Sequence, residues 1–129
     1  MSRTKCLIFT LVTLFALPVA AQKGKAPKSK TPKADKAYQM ASYAKAIELY
    51  KKSYAKQKSG KDKAVTAFKT GESYRKLSNW KEALNWYEKS VKDGSKDPMA
   101  TWNYAEGLKA NGRYDEAIAQ YNAYKALAP

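Results

Sequence analysis

The chain has 129 residues, with 25 Lys plus Arg against 11 Asp plus Glu, no His and a single Cys, for a formal charge of +14. That length allows one small domain, and 44% hydrophobic residues argue against wholesale disorder. The usual zinc, haem and iron–sulfur ligand sets cannot be assembled, nor can a Ser-His-Asp or Cys-His unit, so no metal, cofactor or catalytic residue is expected.

Residues 1–21, MSRTKCLIFTLVTLFALPVAA, read as a secretory signal peptide: Arg3 and Lys5 lead an uncharged apolar run, and small Val19 and Ala21 suit cleavage before Gln22. The run is short for a membrane span of about 20 residues, with an uncleaved anchor as the alternative. Cys6 would leave with the signal, so no disulfide is expected. Residues 22–36, QKGKAPKSKTPKADK, hold six Lys against Asp35. Lacking large apolar residues, residues 22–30 read as a flexible basic linker. It is either a solvated spacer or an electrostatic tether to anionic lipid, glycan or nucleic acid. An exported chain would not ordinarily meet nucleic acid, so none is expected as a partner.

From Ala34 onward the spacing is helical and blocks recur: YAKAIELYKKS at 43–53, WKEALNWYEKS at 80–90 and YDEAIAQYNAY at 114–124. Each sets an aromatic residue, then Ala three later, then Tyr four later, as in Tyr43-Ala46-Tyr50, Trp80-Ala83-Tyr87 and Tyr114-Ala117-Tyr121. Those offsets share one helix face. The second and third blocks stand 34 residues apart (117 − 83) and the first two 37 apart (83 − 46), the excess fitting a loop in KQKSGKDK at 56–63. Thr31-Pro32 and Asp97-Pro98 are helix starts. Helices are predicted from residue 31 and over 42–56, 61–77, 79–92, 98–111 and 114–127, with Gly94 breaking the chain and Gly112 supplying a left-handed turn.

A 34-residue period of paired helices resembles the tetratricopeptide repeat. Gly71, Tyr74, Ala83 and Tyr87 match the family's small and aromatic positions in one repeat. Ala105, Gly112, Tyr114, Ala117, Tyr121 and Pro129 match them in the next. The resemblance implies an all-α, right-handed superhelical solenoid of three helical hairpins, with repeats at about 31–60, 64–97 and 98–129 and no strand. It also implies a scaffold whose first helices line a concave groove for a protein or peptide partner. On that geometry the candidate groove residues are Tyr38 with Gln39, then Phe68, Lys69, Glu72 and Arg75, then Trp102, Asn103, Glu106 and Lys109. Phe68 and Trp102, 34 apart, should project side by side, as exposed anchors or partly buried between helices. The pattern of arrays that clamp a C-terminal carboxylate is not reproduced, since Glu72 and Glu106 would oppose one. The other carboxylates, Glu82, Glu88, Asp115 and Glu116, lie among Lys and Arg on polar faces with no buried acid–base pair.

Ile118, Tyr121, Tyr124 and Leu127 form an apolar face that nothing in the sequence covers, so further polypeptide, a partner or a second copy is expected there. The order of signal, Lys-rich linker and repeats beginning at KADKAYQMASYAKAIELYKKS is similar to the N-terminus of Bacteroidota envelope proteins. In those, repeats precede a β-propeller of PD40 type and an OmpA-like domain, and some belong to the type IX secretion apparatus. That resemblance implies an exported scaffold in the periplasm or at the outer-membrane periphery, without a transmembrane span once the signal is cut. The alternative is a cell-wall or membrane-surface binding protein held by its basic linker and repeats to anionic polymer.

Overall fold

The structure, a computed structural model, describes residues 28–128; the expected signal segment and most of the expected linker lie outside them. Six α-helices follow in order: α1 (Pro32–Gln39), α2 (Tyr43–Lys56), α3 (Gly60–Lys76), α4 (Trp80–Lys92), α5 (Pro98–Ala110) and α6 (Tyr114–Leu127). Among the described residues all regular structure is helical. The main contacts join only consecutive helices, giving three stacked hairpins in a solenoid. Side chains of Ser59, Asn79 and Asp97 accept from backbone N–H groups at the starts of α3, α4 and α5. Thr31 departs from expectation. It makes no cap bond, and its hydroxyl hydrogen-bonds Asp35 instead.

Four helix ends share one turn, in which the third residue past the helix bonds back five positions and the second bonds back three. The pairs are Ser42→Ala37 with Ala41→Tyr38, Asn79→Tyr74 with Ser78→Arg75, Ser95→Ser90 with Gly94→Val91, and Arg113→Leu108 with Gly112→Lys109. The turn requires positive φ. Gly94 and Gly112 supply it as expected, but the equivalent residues after α1 and α3 are Ala41 (φ 56) and Ser78 (φ 58). A Cβ in this region costs roughly 1–2 kcal/mol. Ala41→Gly and Ser78→Gly are therefore each expected to stabilise the fold by about 0.5–1 kcal/mol, read as a raised urea midpoint at unchanged slope. A lowered midpoint for both would show that the turn is not strained.

Packing explains the recurring blocks. Ala46, Ala83 and Ala117 are all buried, letting helices approach closely, and Tyr50 and Tyr87 fill the space beside them. One cluster comprises Ala83, Leu84, Tyr87, Tyr104, Leu108 and Ala117, with Phe68, Tyr74, Val91 and Tyr121 against it. A smaller one joins Ala34, Ala37, Ala46 and Tyr50 in the first hairpin. The core is rich in Ala and Tyr, so hydroxyl bonds take a larger share in binding helices together. The Ser90 hydroxyl, for example, donates to the Ala64 carbonyl across α3 and α4 at 2.7 Å. On α6, Ile118 and Leu127 are exposed as expected. Tyr121 and Tyr124 are half-buried instead, because the Trp102 indole packs edge-on against both at 5.0 and 5.1 Å.

Candidate binding groove

Helices α1, α3 and α5 line one side of the solenoid, and two recesses lie between them. The first, about 460 Å³, is lined by Asp35, Tyr38, Gln39, Tyr50, Phe68, Lys69 and Glu72. The second, about 480 Å³, adds Arg75, Trp80, Asp97, Met99, Trp102, Asn103 and Glu106 to Phe68 and Glu72. Phe68 and Glu72 border both, so the two recesses form one continuous groove. Of the ten residues singled out from the sequence, nine line it. Lys109 does not: it is equivalent to Arg75 but sits on α5, the last of the groove helices described, and pairs with Glu106 at 2.9 Å.

Phe68 and Trp102 share the second recess but do not stack on each other. Each leans on a tyrosine of its own hairpin, Phe68 on Tyr87 at 6.0 Å and Trp102 on Tyr121 at 5.0 Å. Phe68 is half-buried, whereas Trp102 keeps 37% of its surface exposed and is the principal aromatic surface open to a ligand.

The floor is a ladder of tyrosine–carboxylate bonds. In every hairpin the Tyr hydroxyl of the second helix donates to a carboxylate fifteen residues earlier: Tyr50 to Asp35 at 2.7 Å, Tyr87 to Glu72 at 2.5 Å, and Tyr121 to Glu106. Adjacent hairpins are joined at the same carboxylates. Lys69 Nζ reaches back to Asp35 at 2.8 Å, and the equivalent Asn103 Nδ2 reaches back to Glu72 at 2.9 Å. Glu72 also takes a two-pronged contact from Arg75, at 3.0 and 2.6 Å.

Burial alone would raise all three carboxyls. For Glu72 the bonds from Arg75 and Tyr87 outweigh it, for Asp35 those from Lys69, Ser29 and Tyr50, and for Glu106 those from Tyr121 and Lys109. All three therefore lie below the ordinary carboxyl value. The same arrangement pushes the Tyr50 and Tyr87 hydroxyls far up, through burial first and the carboxylate acceptor second. Glu72 was expected to oppose an anionic ligand. With four donor contacts satisfying it, it presents a neutralised, hydrogen-bonded wall instead.

Asp35, Tyr50, Tyr87, Tyr121, Trp80, Asp97 and Met99 belong to the groove or its floor and were not foreseen as such. A signal existed in the constant offset of fifteen between each carboxylate and its tyrosine.

The geometry is that of a tetratricopeptide-repeat solenoid, an all-α array of helical hairpins with a lined inner groove. Residues 68–129 match the family described as Tetratricopeptide repeat. Among solved structures, the second TPR of Spaghetti (RPAP3) bound to the HSP90 peptide SRMEEVD is similar in fold, with a TM-score of 0.67 at 17% identity. The match covers 77% of this chain and 89% of that one. No curated protein sequence matches the chain.

Proposed function

We propose that the chain is a non-enzymatic scaffold that holds a peptide or a partner's helix in the groove between α1, α3 and α5. We place its work after export in the bacterial cell envelope, beside OmpA-like or secretion-system assemblies. The observation that carries the groove reading is the continuous pair of recesses with Trp102 open above a floor whose carboxylates are internally satisfied. Such a floor can bury a ligand without stranding a charge. The peptide held by the similarly folded Spaghetti domain supports the same use of the fold. The export reading rests on the composition of residues 1–21 and on the order of features that follows them.

Trp102→Ala is expected to weaken by at least ~10-fold a short peptide selected from a random display library against the parent chain. Parent affinity should change little between about 0.05 and 0.5 M NaCl, since aromatic contacts are not screened. Fluorescence anisotropy reads both, and selected peptides that bind parent and Trp102→Ala equally would overturn the groove. A native protein whose first residue is not Gln22 would count against export in the expected form.

A further inference from the structure

Charge is distributed unevenly along the solenoid. Residues 28–59 contain nine Lys against Asp35 and Glu48, a net of +7, whereas residues 60–128 contain ten Lys and two Arg against nine acids, a net of +3. The five ion pairs among the described residues use Lys69, Arg75, Lys92, Lys109 and Arg113 as cations. None uses a lysine of the first hairpin, and one of that hairpin's two acids, Asp35, is taken by Lys69 of α3.

Six of those unpaired lysines converge. Helical spacing places Lys45, Leu49, Lys52 and Lys56 on one side of α2, opposite Ile47, Tyr50 and Tyr54. Across a furrow stand Lys33 and Lys36 of α1, with Lys30 just before it. The furrow is a pair of recesses, about 380 and 300 Å³, that share Lys33 and Leu49 and include no carboxylate and no aromatic ring. Its floor is apolar, Leu49 packing on the Ala34 and Ala37 cluster, and Met40 at its rim is 68% exposed. None of the residues lining the furrow lines the groove or belongs to the second hairpin.

We infer that the outer face of the first hairpin seats the protein on an anionic phospholipid bilayer. Lysine stems lie along the apolar floor with their ammonium groups directed to headgroup phosphates, and Met40 enters the boundary between headgroups and acyl chains. Nucleic acid fits less well, because no ring lines the furrow for bases to stack on and no arginine offers a two-pronged grip on one phosphate. Point charges spread over a face match the diffuse potential of many headgroups. No described helix is long and apolar enough to cross a membrane, so the contact is peripheral. The groove shares no lining residue with the furrow, and this inference stands or falls independently of what the groove holds.

Vesicle co-sedimentation tests it, with phosphatidylcholine containing about 30% phosphatidylglycerol against phosphatidylcholine alone. Both the full chain and the chain beginning at Gln22, which keeps every described helix, serve as parents. At low salt each lysine near the surface contributes roughly fivefold, so Lys33→Gln/Lys45→Gln/Lys52→Gln together should cut partitioning roughly 100-fold. The exposed trio Lys81→Gln/Lys96→Gln/Lys125→Gln should cost less than about tenfold. In the shorter chain, which lacks Cys6, an environment-sensitive fluorophore on Met40→Cys should shift to the blue on anionic vesicles, and one on Ile118→Cys should not. Heparin is the soluble control. The bilayer assignment fails if anionic and neutral vesicles bind alike, if the two lysine trios lose equally, or if the probe at position 118 is the one that shifts. It also fails if heparin depends on the first trio while vesicles do not bind.

Discussion

Glu72→Ala is expected to lower the unfolding free energy by about 2–4 kcal/mol. Glu72 on α3 is the point where three helices are tied, through Arg75 on its own helix, Tyr87 on α4 and Asn103 on α5. Truncation strands the hydroxyl of the fully buried Tyr87 and removes one of the polar links between the second and third hairpins. Tyr87→Phe, which takes away one donor and leaves Glu72 with its others, should cost only about 1 kcal/mol. The effect should also be pH-dependent. The folded carboxyls of Asp35, Glu72 and Glu106 lie below their ordinary values of 3.8, 4.5 and 4.5. Unfolded chains therefore bind protons first as pH falls. Stability from these groups is complete above about pH 5 and is lost as pH drops through the folded values. Urea titrations between pH 7 and 3 should show the parent losing stability below about pH 4.5, and Glu72→Ala losing less of it. A Glu72→Ala chain as stable as the parent at pH 7, with the same acid slope, would remove Glu72 from the structural account.

How much of this was legible beforehand differs from feature to feature. The register of the hairpins followed from the aromatic–Ala–Tyr offsets, because close helix packing demands a small residue where backbones meet, and Ala46, Ala83 and Ala117 sit there buried. Helix boundaries fell within a residue or so of the structure, since Pro, Asp and Gly punctuate them. The left-handed turns at Ala41 and Ser78 were not legible: local preference asks for Gly or Asn there, and the hairpin packing overrides it. The groove's position was legible from the family resemblance, but its internal chemistry was not. In one dimension Glu72 is a carboxylate among lysines on a polar face; the pairing of α3 with α4 brings Tyr87 onto it, and the stacking of the next hairpin brings Asn103. Lys109 shows the converse. Equivalent to Arg75 in sequence, it lacks a following groove helix among the described residues to complete a recess around it.

Gly71→Ala should destabilise the protein by about 1–3 kcal/mol, although Ala is the better helix former by roughly 1 kcal/mol. Gly71 lies within α3, and a Cβ built there would stand 2.7 Å from both Cδ1 and Cε1 of Tyr87 and 3.3 Å from the Ala83 carbonyl oxygen of α4. The flexible end of a side chain could yield at small cost, but Tyr87 is fully buried and its hydroxyl is held by Glu72. Either α4 moves off α3 or the tyrosine abandons its bond. The third hairpin shows the alternative solution. Ala105 occupies the position equivalent to Gly71, and the tyrosine beside it, Tyr121, is only half-buried. Ala105→Gly is accordingly expected to cost about 1 kcal/mol through helix propensity. Replacing Tyr87 by Leu first should relieve the clash, so that the penalty of Gly71→Ala falls by about 1 kcal/mol or more in a double-mutant cycle. Chemical denaturation of the four chains reads that coupling. If Gly71→Ala instead raises stability by the amount helix propensity alone provides, in both backgrounds, close approach at Tyr87 does not explain the glycine.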